Sequence, residues 1–178
     1  MAKITIFGMA GTGKTSAGKE LAKRLGFQFF SGGDFARETA RKLEVDINEL
    51  DALSETDRKY DQEIDDAVEE FGKNNDNFVV ECRLAWYFIP DSFKVCFVCD
   101  FDERTKRIAI REGKDLATVR EETRQREDSI HERFSKYYDI PDIEDRGHFD
   151  YTVDTGCDSL LEVVESITKE IKLRRIIA

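Results

Sequence analysis

Short apolar segments alternate with longer amphipathic segments along the whole chain. Runs rich in β-branched and aromatic residues predict strands at Lys3 to Phe7, Phe27 to Phe30, Phe78 to Glu81, Phe93 to Val98 and Tyr151 to Val153. Because helical patterns separate and follow these strands, we expect an α/β fold. Its parallel sheet of about five strands should be covered by helices on both faces.

The helices are predicted from apolar residues at helical spacing. They are a helix that ends at Gly26, one from about Phe35 to Leu43, an acidic helix from Asp57 to Phe71, helices from Glu103 to about Glu112 and from Leu116 to Tyr138, and a closing helix with Leu160 and Ile171. Residues Asp46 to Ser54 are predicted to form a turn with a helical fragment.

Composition and charge narrow the possible classes of protein. The chain has 178 residues, of which 40% are hydrophobic, and this suits a single domain over residues 1–178. Its apolar stretches are shorter than the roughly 20 residues of a membrane span, and the first residues carry no signal pattern. We therefore expect a cytoplasmic protein without a membrane partner. The net charge of −10 argues against a nucleic-acid partner, so any site for an anion must be local.

One such site is predicted where the first strand meets the first helix. Residues 8–15 match the phosphate-loop pattern G-x-x-x-x-G-K-[ST], and the residues predicted to bind a nucleoside triphosphate are Gly8, Gly11, Thr12, Gly13, Lys14 and Thr15. Glycines let backbone N–H groups turn toward phosphate oxygens, and the helix start adds further donors. Lys14 can reach the β and γ phosphates, and the Thr15 hydroxyl suits Mg²⁺. A glycine turn that only ends a strand would explain neither of these two residues.

A second anion site is predicted after the second strand. Residues Ser31 to Arg37 again combine a strand end with a helix start, and they add an arginine. The third strand then ends in Glu81, followed closely by Arg83. An enzyme that transfers a phosphoryl group needs such an arrangement, because the acceptor phosphate must be held in line with the donor phosphate. The alternative for both arginines is surface ion pairing.

At these residues the chain resembles the P-loop nucleoside monophosphate kinases, and most of all the short, archaeal-type cytidylate kinases. Ser31-x-Gly33-Asp34-x-x-Arg37 is similar to the monophosphate-binding motif of adenylate kinases, and Glu81-x-Arg83-Leu84 is similar to the carboxylate-Gly-Arg element of cytidylate kinases. The resemblance extends over nearly the whole chain, through segments that begin at Arg107, Arg126 and Asp150. Cys82 departs from the pattern, since the family usually has glycine there.

The resemblance implies transfer of the ATP γ-phosphate to a nucleoside monophosphate, most of all CMP or dCMP, by a monomer that uses Mg²⁺. It implies a small helical monophosphate-binding region at about residues 31–75 and an arginine-rich lid at about residues 112–138. The implied monophosphate ligands are Ser31, Gly33, Asp34, Arg37, Glu81 and Arg83. The implied catalytic residues are Lys14, Arg83, Arg126 and Arg133, with Arg107 and Arg111 as further ATP contacts.

The spacing of the arginines agrees with a lid, because residues four or seven apart share a helix face. An exposed, salt-bridged helix is the alternative from charge pattern alone. For Asp61, Glu63 and Asp65 on the acidic helix we expect a solvated face, with recognition of a cytosine amino group as the alternative. For the whole protein the alternatives are an adenylate or small-metabolite kinase and, in a different class, an ATP-binding module that regulates a partner.

Overall fold

A computed structural model describes residues 1–177 of the chain. Its five strands form one parallel sheet in the order β2-β3-β1-β4-β5, with bounds β1 Lys3–Gly8, β2 Gln28–Ser31, β3 Phe78–Glu81, β4 Phe93–Val98 and β5 Tyr151–Asp154. All five strands were predicted from the sequence to within one or two residues at each end. The predicted parallel α/β fold is therefore confirmed.

Eight α-helices accompany the sheet. Their bounds are α1 Lys14–Leu25, α2 Gly32–Lys42, α3 Ile47–Thr56, α4 Lys59–Asn74, α5 Ala85–Phe88, α6 Phe101–Glu112, α7 Leu116–Tyr138 and α8 Leu160–Leu173, and a short 3₁₀ turn covers Arg146–His148. No helix within residues 1–177 has both the length and the apolar character needed to cross a membrane.

Successive side chains of a strand point to opposite faces of the sheet. Both faces are buried, because helices pack against each of them. In β1, Ile4 and Ile6 pack in one apolar cluster with residues of α1 and α8. Phe7 points into the opposite cluster, which includes Ile130 and Phe134 of α7. A third cluster joins Val68 of α4 to the β3 side of the sheet and to α5. These clusters hold the carboxyl ends of the strands in fixed positions.

The structure extends or corrects several predicted helices. The predicted turn at residues 46–54 is instead part of a full helix, α3, whose first turn is closed by a capping box between Asp46 and Glu49. Helix α2 begins at Gly32, earlier than predicted, because the Ser31 hydroxyl accepts a hydrogen bond from the Asp34 backbone and starts the helix there. Helix α5 was not predicted; its four residues are too few to show helical spacing.

Helices α6 and α7 form a hairpin. Gly113 ends α6 in the left-handed region at φ 65°, and Asp115 caps the start of α7. The predicted break at residues 113–115 is therefore confirmed. The second half of α7 is firmly packed, since Ile130 and Phe134 belong to the core. Only the part of the hairpin before these residues is free of that packing.

Candidate active site

The carboxyl ends of three neighbouring strands bring both predicted anion sites to one edge of the sheet. In the sheet register, Glu81 of β3 lies beside Ser31 of β2 on one side and Ile6 of β1 on the other. The phosphate loop leaves β1 two residues after Ile6. A cavity of about 620 Å³ opens at this edge, where ligands of parallel α/β proteins usually bind. The predicted site residues that line it are Gly11, Gly13, Lys14, Thr15, Gly33, Arg37, Glu81, Arg83, Arg107, Arg111 and Arg126.

The phosphate loop has the backbone that its sequence predicts. Gly11 and Gly13 both adopt φ 83°, a conformation that side chains rarely tolerate. A Cβ at Gly8 would lie 2.6 Å from the Thr12 hydroxyl oxygen, which in turn donates a hydrogen bond to the Met9 carbonyl. Gly8 and Thr12 do not line the cavity. They shape the loop, and Met9 packs into the core. The remaining loop residues, from Ala10 to Thr15, line the cavity.

Arg104 supports this loop and was missed by the sequence analysis. The buried guanidinium donates hydrogen bonds to the carbonyl of Ala10 at 3.0 Å and of Cys99 at 3.2 Å, and it pairs with Glu127 at 2.6 Å. A Cβ at Gly11 would lie 2.5 Å from the Arg104 carbonyl oxygen. In the sequence, Arg104 is one of many arginines on a charged helix, and nothing in the pattern marks it as buried.

Glu81 connects the phosphate loop to the second anion site. One carboxylate oxygen, Oε1, accepts hydrogen bonds from the Thr15 hydroxyl at 2.8 Å and from the Ser31 hydroxyl. The other, Oε2, is buried, finds no hydrogen-bond partner among residues 1–177 and lies 4.0 Å from Lys14 Nζ. Burial lowers the pKa of Lys14, against the opposing effect of Glu81.

These atoms fit the Mg²⁺ that the sequence predicts. Mg²⁺ prefers oxygen ligands and usually keeps several of its waters beside one or two carboxylates and phosphates. The unpartnered Oε2 of Glu81 and the Thr15 hydroxyl offer such oxygens next to the phosphate loop. Glu81, which was predicted only as a monophosphate ligand, therefore also anchors Ser31, which caps α2.

Two arginines define the second anion site. Arg37 lines the cavity and is held by Asp34 at 2.6 Å; Asp34 itself is exposed and does not line the cavity. Arg83 makes no hydrogen bond or ion pair with another side chain of residues 1–177 although it borders the cavity. A cation without an internal partner, at a strand end, is available for an external anion. Surface ion pairing, the alternative for both arginines, describes Asp34 with Arg37 but not Arg83.

Arg126 lines the same cavity as the phosphate-loop residue Lys14. Burial and the nearby Arg83 lower the pKa of Arg126 to about 10, and Arg126 with Arg83 also lowers the pKa of Lys14. Three cations therefore converge on one part of the cavity, where an incoming polyphosphate would neutralise them. Arg107 and Arg111 line the cavity as well, and Arg107 donates hydrogen bonds to the backbone of Thr155 and Gly156.

Arg133 is placed differently from the other predicted arginines. It is only 4% exposed and lies outside the cavity lining. Its Nε donates to Asp61 at 2.8 Å, Nη1 donates to Ser129 at 2.6 Å, and Nη2 lies 3.3 Å from Asp51. The sequence placed Arg133 on the transferring phosphate, but every nitrogen of this guanidinium is hydrogen-bonded within the protein. Its contacts tie α7 to α3 and α4.

Arg133→Ala should therefore destabilise the fold. The variant leaves Asp61 buried without its main cation, and breaking a buried ion pair costs about 3 to 5 kcal/mol. Urea unfolding followed by circular dichroism measures the loss. Lys136→Ala removes an exposed cation from the same helix and is the matched control. Equal stability of the two variants would show that the Arg133 pair contributes little.

The acidic helix is not the solvated face that the sequence predicts. Glu63 is exposed, but Asp61 and Asp65 are buried and line the cavity. Tyr138 donates a hydrogen bond to Asp65. Burial, strengthened by the charges of Asp61 and Asp66, raises the pKa of Asp65 to about 7, although Tyr138 and Arg58 act in the opposite direction. The hydroxyl of Tyr138 has a raised pKa because of its own burial and the adjacent carboxylate.

Asp65→Asn should raise stability in alkaline buffer. A folded-state pKa of about 7, against 3.8 for the ordinary group, means that the folded protein holds a proton that the unfolded chain releases. Stability therefore falls as pH rises between these values, and the amide avoids a penalty on the order of 2 to 4 kcal/mol at pH 8. The difference should shrink toward pH 5. Melting temperatures at both pH values test this, with the exposed Glu63→Gln as control, and a constant difference would contradict it.

Cys82 occupies the place where the family usually has glycine, and the structure shows what its bulk contacts. A Cβ at Gly32 would lie 2.5 Å from the Cys82 sulfur, so the thiol packs against the first residue of α2. Burial raises the pKa of Cys82 to about 12, which keeps it a neutral thiol. The side chain therefore acts as an apolar part of the cavity wall beside Arg83.

The fold and this cavity define a P-loop kinase, and comparison with known proteins gives the family. The model of the cytidylate kinase-like family matches residues 3–156, and the chain belongs to this family. The cytidylate kinase of Archaeoglobus fulgidus is 37% identical over 98% of this chain and 97% of its own length. The cytidylate kinase of Methanothermobacter thermautotrophicus is also 37% identical, over 86% of this chain and 94% of its own length. The resemblance drawn from the sequence is confirmed.

Solved structures of other proteins share the fold at low sequence identity. A shikimate kinase from Acinetobacter baumannii, solved with shikimate, has a TM-score of 0.67 at 17% identity, covering 99% of this chain and 96% of that one. An uncharacterised protein from Eubacterium ventriosum has a TM-score of 0.72 at 19% identity, covering 97% of this chain and 99% of that one. At this identity the likeness concerns the fold alone.

Proposed function

We propose that the protein transfers the γ-phosphate of ATP to CMP or dCMP and releases ADP with the corresponding diphosphate. The observation that carries the proposal is one cavity with cations at two places: Lys14 on the phosphate loop, and Arg37 of α2 with Arg83 after β3. A nucleoside triphosphatase needs only the first set. The second set supports a phosphorylated acceptor, and membership of the cytidylate kinase-like family supports CMP.

The proposed chemistry is positioning and charge stabilisation. The attacking oxygen of a nucleoside monophosphate is already anionic, so no general base is needed. Arg37 and Arg83 would hold the acceptor phosphate, while the phosphate loop and Lys14 hold the β and γ phosphates of ATP. Arg126 lies near both Lys14 and Arg83, where negative charge spreads over the transferring group. Mg²⁺, held near Thr15 and Glu81, would supply further charge neutralisation.

The proposal includes the two regions that the sequence predicts around the cavity. Residues 31–75 would form the monophosphate-binding region and residues 112–138 the lid, with movement confined to the part before the packed residues Ile130 and Phe134. Closure there would exclude water from the phosphoryl group. We also propose that the enzyme works as a cytoplasmic monomer.

The acceptor is tested by ADP release in a coupled assay. Reactions with ATP and Mg²⁺ receive CMP, dCMP, UMP, AMP, shikimate or no acceptor. We expect CMP and dCMP to give the highest kcat/KM and the reaction without acceptor to be slow. Preference for AMP or for a metabolite without phosphate would favour the alternative kinases. ADP release that no acceptor accelerates would instead favour an ATP-binding module.

Arg83→Ala should separate the two anion sites. Loss of the cation should raise the KM for CMP by about tenfold or more and lower kcat, while the affinity for ATP stays nearly constant, because a charged hydrogen bond contributes roughly 1.5 to 3 kcal/mol. Titrations of ATP and of CMP with the same variant measure both effects. An equal loss of ATP affinity would mean that Arg83 serves the donor nucleotide.

A further inference from the structure

We propose that Asp51, on α3, is a positioning residue that orients Arg126 for the transferring phosphate. One carboxylate oxygen of Asp51 accepts a hydrogen bond from Nε of Arg126, 75 residues further along the chain. The other lies 3.3 Å from Nη2 of Arg133. Asp51 is 14% exposed on its side chain. The proposal rests on the function proposed above, in which Arg126 contacts the phosphoryl group.

The contacts of the two arginines differ in a way that shows what Asp51 does. Arg133 uses all three nitrogens on Asp61, Ser129 and Asp51. Arg126 uses only Nε, and within residues 1–177 its two terminal nitrogens donate no hydrogen bond although the side chain lines the cavity. A guanidinium held by its Nε edge keeps both terminal nitrogens for a phosphate, the paired geometry in which arginine binds such groups.

The electrostatic surroundings explain why an anion is needed at this position. Arg126 is partly buried near Arg83 and Lys14, and both this burial and the neighbouring charge of Arg83 disfavour its cation. Asp51 opposes these effects and is the carboxylate bonded to Arg126. Without Asp51, repulsion from the other cations would favour conformations in which the Arg126 side chain turns away from them. Its charge could remain, but its orientation would be lost.

Asp51 also links two helices on different sides of the proposed active site. Asp51 lies on α3, within the proposed monophosphate-binding region, whereas Arg126 lies on the lid helix α7. Asn48 of α3 also donates a hydrogen bond to Glu122 of α7 at 3.2 Å, and it adds to the contacts of Asp51 with the two arginines of α7. The arginine that would stabilise transfer is therefore aligned from the side of the protein that would hold the acceptor.

The first test compares Asp51→Asn with Glu55→Gln, a change of the same type on an exposed residue of α3. Asp51→Asn should lower kcat by about tenfold or more and leave the KM values for ATP and CMP within about twofold, because a misplaced donor weakens the transition state more than the ground state. Glu55→Gln should be silent. A normal kcat in Asp51→Asn, or equal losses in both variants, would overturn the proposal.

A double-mutant cycle separates positioning from a structural role. In a background of Arg126→Ala, Asp51→Asn should cause almost no further loss of kcat, because Asp51 then has no arginine to orient. A carboxylate that only stabilises the fold would lower kcat by the same factor in both backgrounds. It would also lower the melting temperature by the same number of degrees in both. That result would overturn the proposal while leaving the proposed function intact.

Arg126→Lys provides a test that does not require Asp51 to be changed. Lysine keeps the positive charge but lacks the planar group that Asp51 can hold by one edge. We expect Arg126→Lys to lose nearly as much kcat as Arg126→Ala. Near-normal turnover in Arg126→Lys would show that charge alone suffices and that orientation by Asp51 is unnecessary. If the unmodified protein fails to phosphorylate CMP, the proposed function itself fails, and the proposal for Asp51 fails with it.

Discussion

Lys14→Ala should abolish phosphoryl transfer, with a loss of kcat of roughly a thousandfold or more. The lysine is 17% exposed, lies in the cavity and stands 4.0 Å from Glu81, so its ammonium is directed to the ligand space and not to a core contact. Its pKa is lowered by burial and by Arg83 and Arg126, which means that an anionic ligand would strengthen its charged form. Few other single changes should cost as much.

The fold should survive this change. The phosphate loop is held by backbone hydrogen bonds and by Arg104 on the Ala10 carbonyl, none of which involves the Lys14 side chain. Circular dichroism and initial rates at saturating ATP and CMP test both parts of the prediction. Lys23→Ala, an exposed lysine on the same helix α1, is the control for loss of a positive charge. Near-normal turnover of Lys14→Ala would contradict the assignment of the phosphate loop.

Arg126→Ala should lower kcat by about a hundredfold or more while substrate affinities change little. Removal of one preorganised donor has an effect of this size, because the donor acts on charge that develops in the transition state. Beside Lys14 and Arg83, the two terminal nitrogens of this guanidinium have no hydrogen-bond partner in the described part of the chain, residues 1–177. Since Arg126 is tied to Asp51 and not to a core residue, the variant should remain folded.

Single-turnover rates at saturating ATP and CMP measure this effect without interference from product release. Arg120→Ala, which removes a cation from the same helix that pairs with Asp102, is the matched control. If Arg126→Ala transfers phosphate at the unmodified rate, α7 is a salt-bridged surface, which was the alternative from the charge pattern. A large rise in the KM for ATP alone would instead place Arg126 on the donor nucleotide.

The sheet and the phosphate loop were predictable because their signals are local. Runs of β-branched and aromatic residues predicted β1, β3 and β4, and the glycines of residues 8–15 imply a backbone that the structure shows at Gly11 and Gly13. The capping box at Asp46 and Glu49 was also a local signal for α3, but it was not used. Asp51 carries no local signal of its contact with Arg126, because the two residues are 75 positions apart.

The ion-pair network was not predictable, because its members come from distant parts of the chain. Asp61 and Arg133 are 72 residues apart, and only packing of α4 against α7 brings them together. An acidic helix with Asp61, Glu63 and Asp65 has the composition of a solvated face, and nothing local shows that two of the three are buried. For the same reason Arg104 and Arg133 could not be distinguished from exposed arginines on charged helices.

The most direct test of phosphoryl transfer from ATP to CMP follows the phosphoryl group itself. The protein is mixed in a single turnover with ATP that carries a radioactive γ-phosphate, Mg²⁺ and CMP, and the products are separated by chromatography. If transfer is direct, the label appears in the β-phosphate of CDP, and little is released as inorganic phosphate. Label that appears as inorganic phosphate at the same rate with and without CMP would contradict direct transfer between two facing anion sites.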